Sequence, residues 1–292
     1  MKRRLIKAPI IGFVRYSQKI KFANRQKEKD VFEPNYFEYR FTIFKEITLK
    51  SFQQQTNSNF VLLLLHSENM PSHYKERFYE LEKENPFLYN VFVEDTQEYF
   101  DKAISDSVEY VSFENNVAVT FRIDNDDAVQ NNYIEKLHDF LNADFVGYTV
   151  SIPIMNIIKR ISNNIYMIQE VYYPANAIGL AYVTNKEHYK TVLNLGDHDL
   201  VNDSNGMILL AKCTSGGLQT INGENEINSI DKKRAVSFAK EDLDEHLEVR
   251  QMNNLNLDCL RIYPEEKKIV EILDLFVPPI FYLISRKIKA FF

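Results

Sequence analysis

Short apolar runs alternate with helix-like segments along the first half of the chain. Four of these runs suit buried strands: "APIIGFV" from Ala8, "NFVLLLL" from Asn59, "YNVFVED" from Tyr89 and "NVAVTFRI" from Asn116. The segments between them place apolar residues at helical spacing, as in Phe37, Phe41 and Phe44. Strands that alternate with helices are typical of βαβ units, so the pattern predicts a mostly parallel sheet flanked by helices.

The pattern changes after about residue 145. The stretches "DFVGYTVSIPIMNI" and "NIYMIQEVYYPANAIGLAYVT" are rich in β-branched and aromatic residues, without clear helices between them. They predict added antiparallel strands. From Lys232 onward the chain is charged and predicts helices, which gives a helical C-terminal extension over residues 232–292.

Composition narrows the class of protein. The 292 residues are 45% hydrophobic and 26% charged, which is typical of a globular chain. The net charge of −6 provides no basic field for nucleic acid, so no nucleic-acid partner is expected. Cys213 and Cys259 lie far apart, which indicates reduced thiols and a cytoplasmic protein. No window reaches the roughly 18 apolar residues that span a bilayer.

The chemistry of the sequence is concentrated in "FRIDNDDAV", residues Phe121 to Val129. Three aspartates and an asparagine follow a buried strand, and ligands of parallel sheets bind beyond the carboxyl ends of the strands. Arg122 and Asp124 are two residues apart on that strand and therefore point to the same face. A simpler alternative is that Asp126 or Asp127 caps the next helix. One aspartate would suffice for a cap, whereas four adjacent acidic or amide side chains favour a bound cation.

Three kinds of metal site use closely spaced aspartates. An EF-hand loop from Asp124 fails, because Ala128 and Val129 stand where an oxygen ligand and a glycine are needed. A phosphatase of the haloacid-dehalogenase type also uses aspartates after a strand, but Ala128 follows Asp127 where that class has a Gly-Thr-like pair. A glycosyltransferase DxD motif fits best, because its cation neutralises the departing nucleoside diphosphate.

Several segments resemble the bacterial rhamnosyltransferase family, a group of GT-A-like glycosyltransferases. The most specific is "TFRIDNDDAV", which is similar to that family's Thr-Arg-Leu-Asp-Asn-Asp-Asp-Ala-Leu. The others are "FVRYS", "YRFTIFKEITLKSFQQQTNSNFVLLLLHSENMP" and "GGLQTINGENEIN". The sequence departs from the family at His66, where an acidic residue is usual, and at Gly217 and Asn222, which replace a tryptophan and a histidine.

The resemblance implies a GT-A-like fold over residues 1–231. Its nucleotide-sugar-binding half would be 1–145 and its acceptor half 146–231. It implies metal-dependent, inverting transfer of a sugar such as rhamnose to a saccharide or lipid-linked acceptor in bacterial surface polysaccharide synthesis. The expected cofactor is Mn²⁺ or Mg²⁺, and the expected co-substrate is a nucleotide-diphosphate-sugar. A non-catalytic carbohydrate- or metal-binding protein and a metal-dependent phosphatase remain the alternatives.

The resemblance also implies roles for individual residues. The expected metal ligands are Asp124, Asp126, Asp127 and Asn222, and the expected nucleotide-binding residues are Arg15, Tyr16, Arg122 and Asp124. The acceptor hydroxyl needs a general base, for which Asp197 is the first candidate, followed by Asp199 and Glu224.

The C-terminal stretch "KKIVEILDLFVPPIFYLISRKIKAFF" is apolar and flanked by lysines and an arginine. Pro278 and Pro279 interrupt it, so it does not form one spanning helix. It is expected to lie on the inner membrane surface, where lipid-linked acceptors are found. Packing on the core or on a second copy, as in a homodimer, is the alternative.

Overall fold

The computed structural model describes residues 5–17, 30–173, 176–196, 206–209, 217–221, 235–249 and 251–262. Its strands are β1 Ile10–Arg15, β2 Phe60–Ser67, β3 Leu88–Val93, β4 Val117–Asp124, β5 Ala128–Val129, β6 Thr149–Ser151, β7 Ile154–Arg160, β8 Ile165–Tyr172, β9 Leu180–Asn185, β10 Met207–Leu209, β11 Gly217–Ile221 and β12 Val236–Ala239. Its α-helices are α1 Pro34–Ile43, α2 Lys50–Gln53, α3 Ser72–Glu84, α4 Gln97–Asp106, α5 Tyr133–His138 and α6 Lys240–Val249.

Within the described residues, the larger sheet has seven strands in the order β10-β6-β9-β4-β1-β2-β3. Strands β4, β1, β2 and β3 pair in parallel, as the four apolar runs predict. Strand β9 is antiparallel to both β4 and β6. The predicted mixed α/β fold with a largely parallel sheet and added antiparallel strands is confirmed. Because β1 to β4 are parallel, their carboxyl ends form one edge.

A second sheet takes most strands of the later part of the chain. In the described residues it has the order β12-β8-β7-β11-β5. It contains β5, which directly follows the acidic cluster Asp124–Asp127 and pairs with Gly217 and Leu218 of β11. The chain therefore passes from the first sheet to the second within the cluster itself.

One long helical segment, residues 34–53, covers a face of the first sheet. It contains a π-helical stretch, Phe44–Leu49, between α1 and α2. Phe37, Phe41 and Phe44 pack with Phe78 of α3 in a buried aromatic cluster. Their spacing in the sequence predicted this buried face.

One alternative and one expectation from the sequence are wrong. The acidic cluster does not cap a helix, because Ala128 and Val129 form β5 and α5 begins only at Tyr133, after Asn132. The chain beyond residue 232 is not wholly helical, because Val236–Ala239 is a strand that pairs with β8 before α6 begins. Residues 263–292, including the apolar tail, lie outside the described residues. In the part of the chain that is described, no helix has the length and apolar character to cross a membrane.

Candidate active site

The acidic cluster lies at the carboxyl edge of the parallel strands, where the sequence predicted it. Asp124 is the last residue of β4, and its register partner on β1 is Arg15, the last residue of that strand. Register partners point to the same face of a sheet, so a cationic and an anionic side chain end two neighbouring strands together. Such an edge suits a ligand that carries phosphate groups and a cation.

Arg122 precedes Asp124 by two residues on β4, so both side chains point to the same face of the sheet. Its guanidinium is largely buried, with 7% of the side chain exposed, whereas 45% of the Asp124 side chain is exposed. A guanidinium nitrogen of Arg122 lies 3.9 Å from a carboxylate oxygen of Asp124. The two groups form an ion pair, but the distance is too long for a hydrogen bond. Within the described residues no other polar side chain pairs with Arg122. A buried guanidinium with one loose partner retains donors for an anion.

Asp127 is the buried aspartate of the cluster, at 3% exposure. Burial is the main reason that the pKa of its carboxyl group is raised, and the charges of Asp126 and Asp124 raise it further. Its carboxylate accepts the backbone N–H of Thr220 on β11 at 3.4 Å. The hydroxyl of Thr220 donates to the carbonyl oxygen of Asp126 at 2.7 Å. These bonds tie the acidic cluster to the second sheet.

Arg40 of α1 ties the same cluster to the first sheet. Its guanidinium donates to the carbonyl oxygen of Tyr16, directly after β1, and to the side-chain oxygen of Asn125, both at 2.7 Å. The guanidinium also lies over the rings of Tyr16 and Tyr36. Sequence inspection gave Arg40 no role at the site, although it is the arginine in the segment "YRFTIF" that carries the family resemblance.

A second polar group lies at the ends of β2 and β3, and its member Asp95 was not predicted as a site residue. The Ser67 hydroxyl donates to a carboxylate oxygen of Asp95 at 2.5 Å, and the Asn69 side chain donates to the same oxygen at 3.1 Å. The backbone N–H of Ser67 donates to the Ser17 hydroxyl at 3.2 Å. The position of Asp95, two residues beyond β3, was the available signal, since β3 is parallel to β2.

Tyr16, an expected nucleotide-binding residue, and His66, at the carboxyl end of β2, have their side chains in the core instead. His66 is fully buried, hydrogen-bonded to Asn90, and burial lowers its pKa to about 3. The ring of Tyr16 is buried among aromatic side chains, including Phe44 and Phe78, and burial raises its pKa. Tyr16 therefore reaches the site through its carbonyl oxygen, which Arg40 binds.

The carboxylates suit a hard divalent cation. Asp124 and Asp126 are both partly exposed, and carboxylate oxygens are preferred ligands of Mg²⁺ and Mn²⁺. Among the described residues, however, no group of three His, Cys, Asp or Glu side chains is arranged to hold a metal ion. A cation here would need ligands beyond these side chains, such as phosphate oxygens. Asn222, the other expected ligand, lies outside the described residues, as do Asp197, Asp199 and Glu224.

Comparison with solved structures finds distant likenesses. The chain is similar to S. aureus TarS 1–349, alone and in complex with UDP, at 9% identity and a TM-score of 0.42 in each case. These alignments cover 72% and 73% of this chain and span 60% of the TarS chains. It is also similar to the inositol-1-phosphate CTP transferase from T. maritima, at 12% identity and a TM-score of 0.28, over 93% of this chain and 96% of that chain.

No curated protein matches the chain. The family described as "Putative rhamnosyl transferase" matches residues 9–234, which include β1 to β4, the acidic cluster and β11. The match covers well over half of the 292 residues. The chain belongs to this family of glycosyltransferases.

Proposed function

We propose that the protein is a metal-dependent, inverting glycosyltransferase that moves a sugar, with rhamnose as the first candidate, from a nucleotide-diphosphate donor. The observation that carries the proposal is the pairing of charges at the carboxyl edge of the sheet. Asp124 and Asp126 offer oxygen ligands, while Arg15 at the end of β1 and Arg122 on β4 offer guanidinium donors. Carboxylates favour a cation, and the arginines favour the diphosphate that this cation accompanies.

In this proposal residues 1–145 hold the donor. Asp124 and Asp126 would hold Mn²⁺ or Mg²⁺, which would supply positive charge next to the departing diphosphate. Arg122 donates to a phosphate oxygen from its buried position, where the low exposure strengthens a charge-assisted hydrogen bond. Asp127, whose carboxylate is turned to Thr220, holds the cluster in place.

The acceptor belongs to residues 146–231, and it is a saccharide or a lipid-linked saccharide of a bacterial surface polysaccharide. Its hydroxyl oxygen attacks the anomeric carbon, the bond to the diphosphate oxygen breaks, and the hydroxyl proton passes to a carboxylate base. Asp197 is our first choice for that base, with Asp199 and Glu224 next. A base that is not a metal ligand keeps its basicity, which favours these residues over the cluster at Asp124.

A donor assay tests the proposal. Purified protein is mixed with a panel of nucleotide-diphosphate-sugars, and release of the nucleoside diphosphate is followed with Mn²⁺, with Mg²⁺ and with EDTA. Asp126→Ala should remove the activity, whereas Asp139→Ala, at an exposed aspartate on α5's C-terminal side, should leave it unchanged. Full activity of Asp126→Ala or full activity in EDTA contradicts metal-dependent transfer. Hydrolysis of simple phosphate monoesters instead would indicate a phosphatase.

We also propose that the apolar tail holds a cytoplasmic enzyme on the inner membrane surface. The tail from about Val270 combines apolar residues with lysine and arginine, which suits an interfacial segment on anionic lipid. The full chain should sediment with anionic liposomes, and a chain truncated before Val270 should not. If the full chain stays in the supernatant, the tail packs on the core or joins two copies as a homodimer, which analytical ultracentrifugation separates.

A further inference from the structure

A cavity of about 570 Å³ lies between α4 and the segment that follows β9. Its lining combines polar and aromatic side chains with aliphatic ones. The polar and aromatic members are Ser105, Tyr182, Tyr189, Lys190 and Asn194. Its volume falls within the range of about 300–1,000 Å³ that is usual for small-molecule sites. Its lining of aromatic side chains and a few polar groups is also typical of such sites.

The cavity is separate from the proposed donor site. Tyr182 is the register partner of Thr120, four residues before Asp124 on β4, which corresponds to about 13 Å along the strand. Ser105 lies near the end of α4, whose first residues follow the carboxyl end of β3, so the cavity lies toward the opposite edge of the sheet. Tyr182 and Asp124 nevertheless lie on the same face of the sheet. Tyr182 is the register partner of Thr120, and Thr120 and Asp124 are four residues apart on one strand, so they point to the same face.

Hydrogen bonds fix the far wall of the cavity. The Tyr189 hydroxyl bonds to the Ser107 hydroxyl at 2.7 Å, which joins this wall to the turn after α4. The backbone N–H of Val192 donates to the Thr120 hydroxyl at 2.8 Å, and Thr191 caps the short 3₁₀ turn that begins there. A wall held in this way needs little ordering when a ligand binds, so less conformational entropy is lost.

Tyr182 supplies a hydroxyl group at the cavity that a ligand can reach. It is 9% exposed, and within the described part of the chain its hydroxyl makes no hydrogen bond. Burial raises its pKa, so the hydroxyl stays protonated at neutral pH. Because Tyr182 lines the cavity, a ligand oxygen there could form a hydrogen bond with its hydroxyl.

We propose that this cavity is a second saccharide-binding site, which takes one pyranose unit of an acceptor chain away from the reaction centre. A pyranose has an apolar C–H face that packs on tyrosine rings and hydroxyls that bond with Tyr182, Lys190 and Asn194. An acceptor chain held there would stay near the enzyme through transfer at the other edge of the sheet. The acceptor role rests on the proposed function, whereas pyranose binding can be measured without any transfer.

Saturation-transfer NMR tests the site directly. The probes are methyl α-L-rhamnopyranoside and methyl α-D-glucopyranoside, each with the full chain and without nucleotide or metal. Tyr182→Phe removes only the hydroxyl and should weaken binding about 3- to 10-fold, as expected for one hydrogen bond. Ser105→Phe, at an exposed helix position, should fill the cavity and abolish binding. Tyr79→Phe, at an exposed tyrosine of α3, is the matched control and should bind as the wild type does.

The outcomes are distinct from those of the donor assay. Asp126→Ala should keep its pyranoside binding even though it loses transfer. Loss of pyranoside binding in Asp126→Ala would place the ligand at the donor site and overturn the cavity proposal. Absence of signal from both probes with the wild type would also overturn it, and so would wild-type affinity in Tyr182→Phe. If Ser105→Phe fails to fold, the comparison of Tyr182→Phe with Tyr79→Phe decides.

Discussion

Arg40 and Asn125 are 85 residues apart in the sequence and are joined by a hydrogen bond of 2.7 Å. The same guanidinium nitrogen donates to the carbonyl oxygen of Tyr16 at 2.7 Å. Arg40 therefore connects the end of β1 to the acidic cluster at the end of β4. Arg40 therefore helps to position Asp124 and Asp126, on either side of Asn125. Arg40 cannot itself bind a metal ion, because it has no carboxylate.

Replacing Arg40 should impair the enzyme without removing any proposed ligand. Arg40→Gln removes the positive charge and the pair of hydrogen bonds to Tyr16 and Asn125, so the acidic cluster is positioned less firmly. Residues that orient metal ligands typically contribute about 10- to 100-fold in metal affinity or activity, and we expect a loss of that order in kcat/KM for donor hydrolysis. Steady-state kinetics against the concentrations of donor and of Mn²⁺ measure the effect.

Arg77 is the matched control for Arg40. It lies over the ring of Phe41 and pairs with Glu38, and among the described residues it forms no hydrogen bond or ion pair with the acidic cluster. Arg77→Gln should therefore keep the metal dependence of the wild type. Arg40→Lys should restore part of the lost activity, because an ammonium group can still donate to one of the two oxygens. An Mn²⁺ requirement identical in Arg40→Gln and wild type would show that Arg40 does not position the cluster.

The parallel core was predictable because its determinants are local. Continuous apolar runs such as "FVLLLL" are typical of strands that are covered on both faces, and β2 is buried along its whole length. The position of Asp124 at the end of β4 followed from the same pattern. The N-cap of α4 is local as well, because the side chain of Thr96 accepts the N–H of Tyr99.

The remaining features depend on contacts that are distant in sequence. Whether Asp127 caps a helix or turns to Thr220 is decided by β11, which lies about 90 residues later. His66 carries a side chain typical of a site, yet its place in the alternation of β2 turns it toward Phe78 and the core. Arg40 gave no signal by itself, since a single arginine on an amphipathic helix is usually a surface residue.

Gly12 in β1 is required by the packing of Phe121. A Cβ atom at position 12 would clash with the Phe121 ring and lie 2.7 Å from a methyl carbon of Leu62. Overpacking of this kind costs about 1–3 kcal/mol, so Gly12→Ala should lower the free energy of unfolding by that amount. Urea denaturation followed by circular dichroism measures it.

The double variant Gly12→Ala/Phe121→Leu tests the cause. The smaller leucine makes room for the methyl group, so the double variant should be less destabilised than the sum of the single variants. Strict additivity would mean that the cost at position 12 does not come from Phe121.

His66 should make the stability of the fold depend on pH. Burial lowers its pKa to about 3 from an ordinary value of 6.5, so the unfolded chain binds the extra proton first as the pH falls. Between about pH 6.5 and 3 the free energy of unfolding should therefore decrease with falling pH, by up to about 1.4 kcal/mol per pH unit from this group. Urea denaturation at a series of pH values gives the slope.

His66→Gln keeps a donor toward Asn90 and does not titrate, so the slope between pH 6.5 and 3 should be shallower than in the wild type. His73→Gln, at an exposed position on α3, should keep the wild-type slope. Equal slopes in wild type and His66→Gln would show that His66 is accessible to protons in the folded protein.

Asp197 is the residue on which the proposed inverting mechanism depends most, although it lies outside the described residues. It follows Gly196, which has a φ of +80°, a backbone conformation that favours glycine and permits a sharp change of direction. A general base typically contributes about 10²–10⁴-fold, so Asp197→Asn should lower kcat for transfer by roughly that factor. The affinity of Asp197→Asn for nucleotide and metal should stay near that of the wild type, because the base acts on the acceptor and not on the diphosphate.

Asp199→Asn is the neighbouring control for Asp197→Asn, and its kcat should fall much less. A near-normal kcat in Asp197→Asn would move the role to Glu224, and a loss of metal affinity would assign Asp197 to the donor side instead.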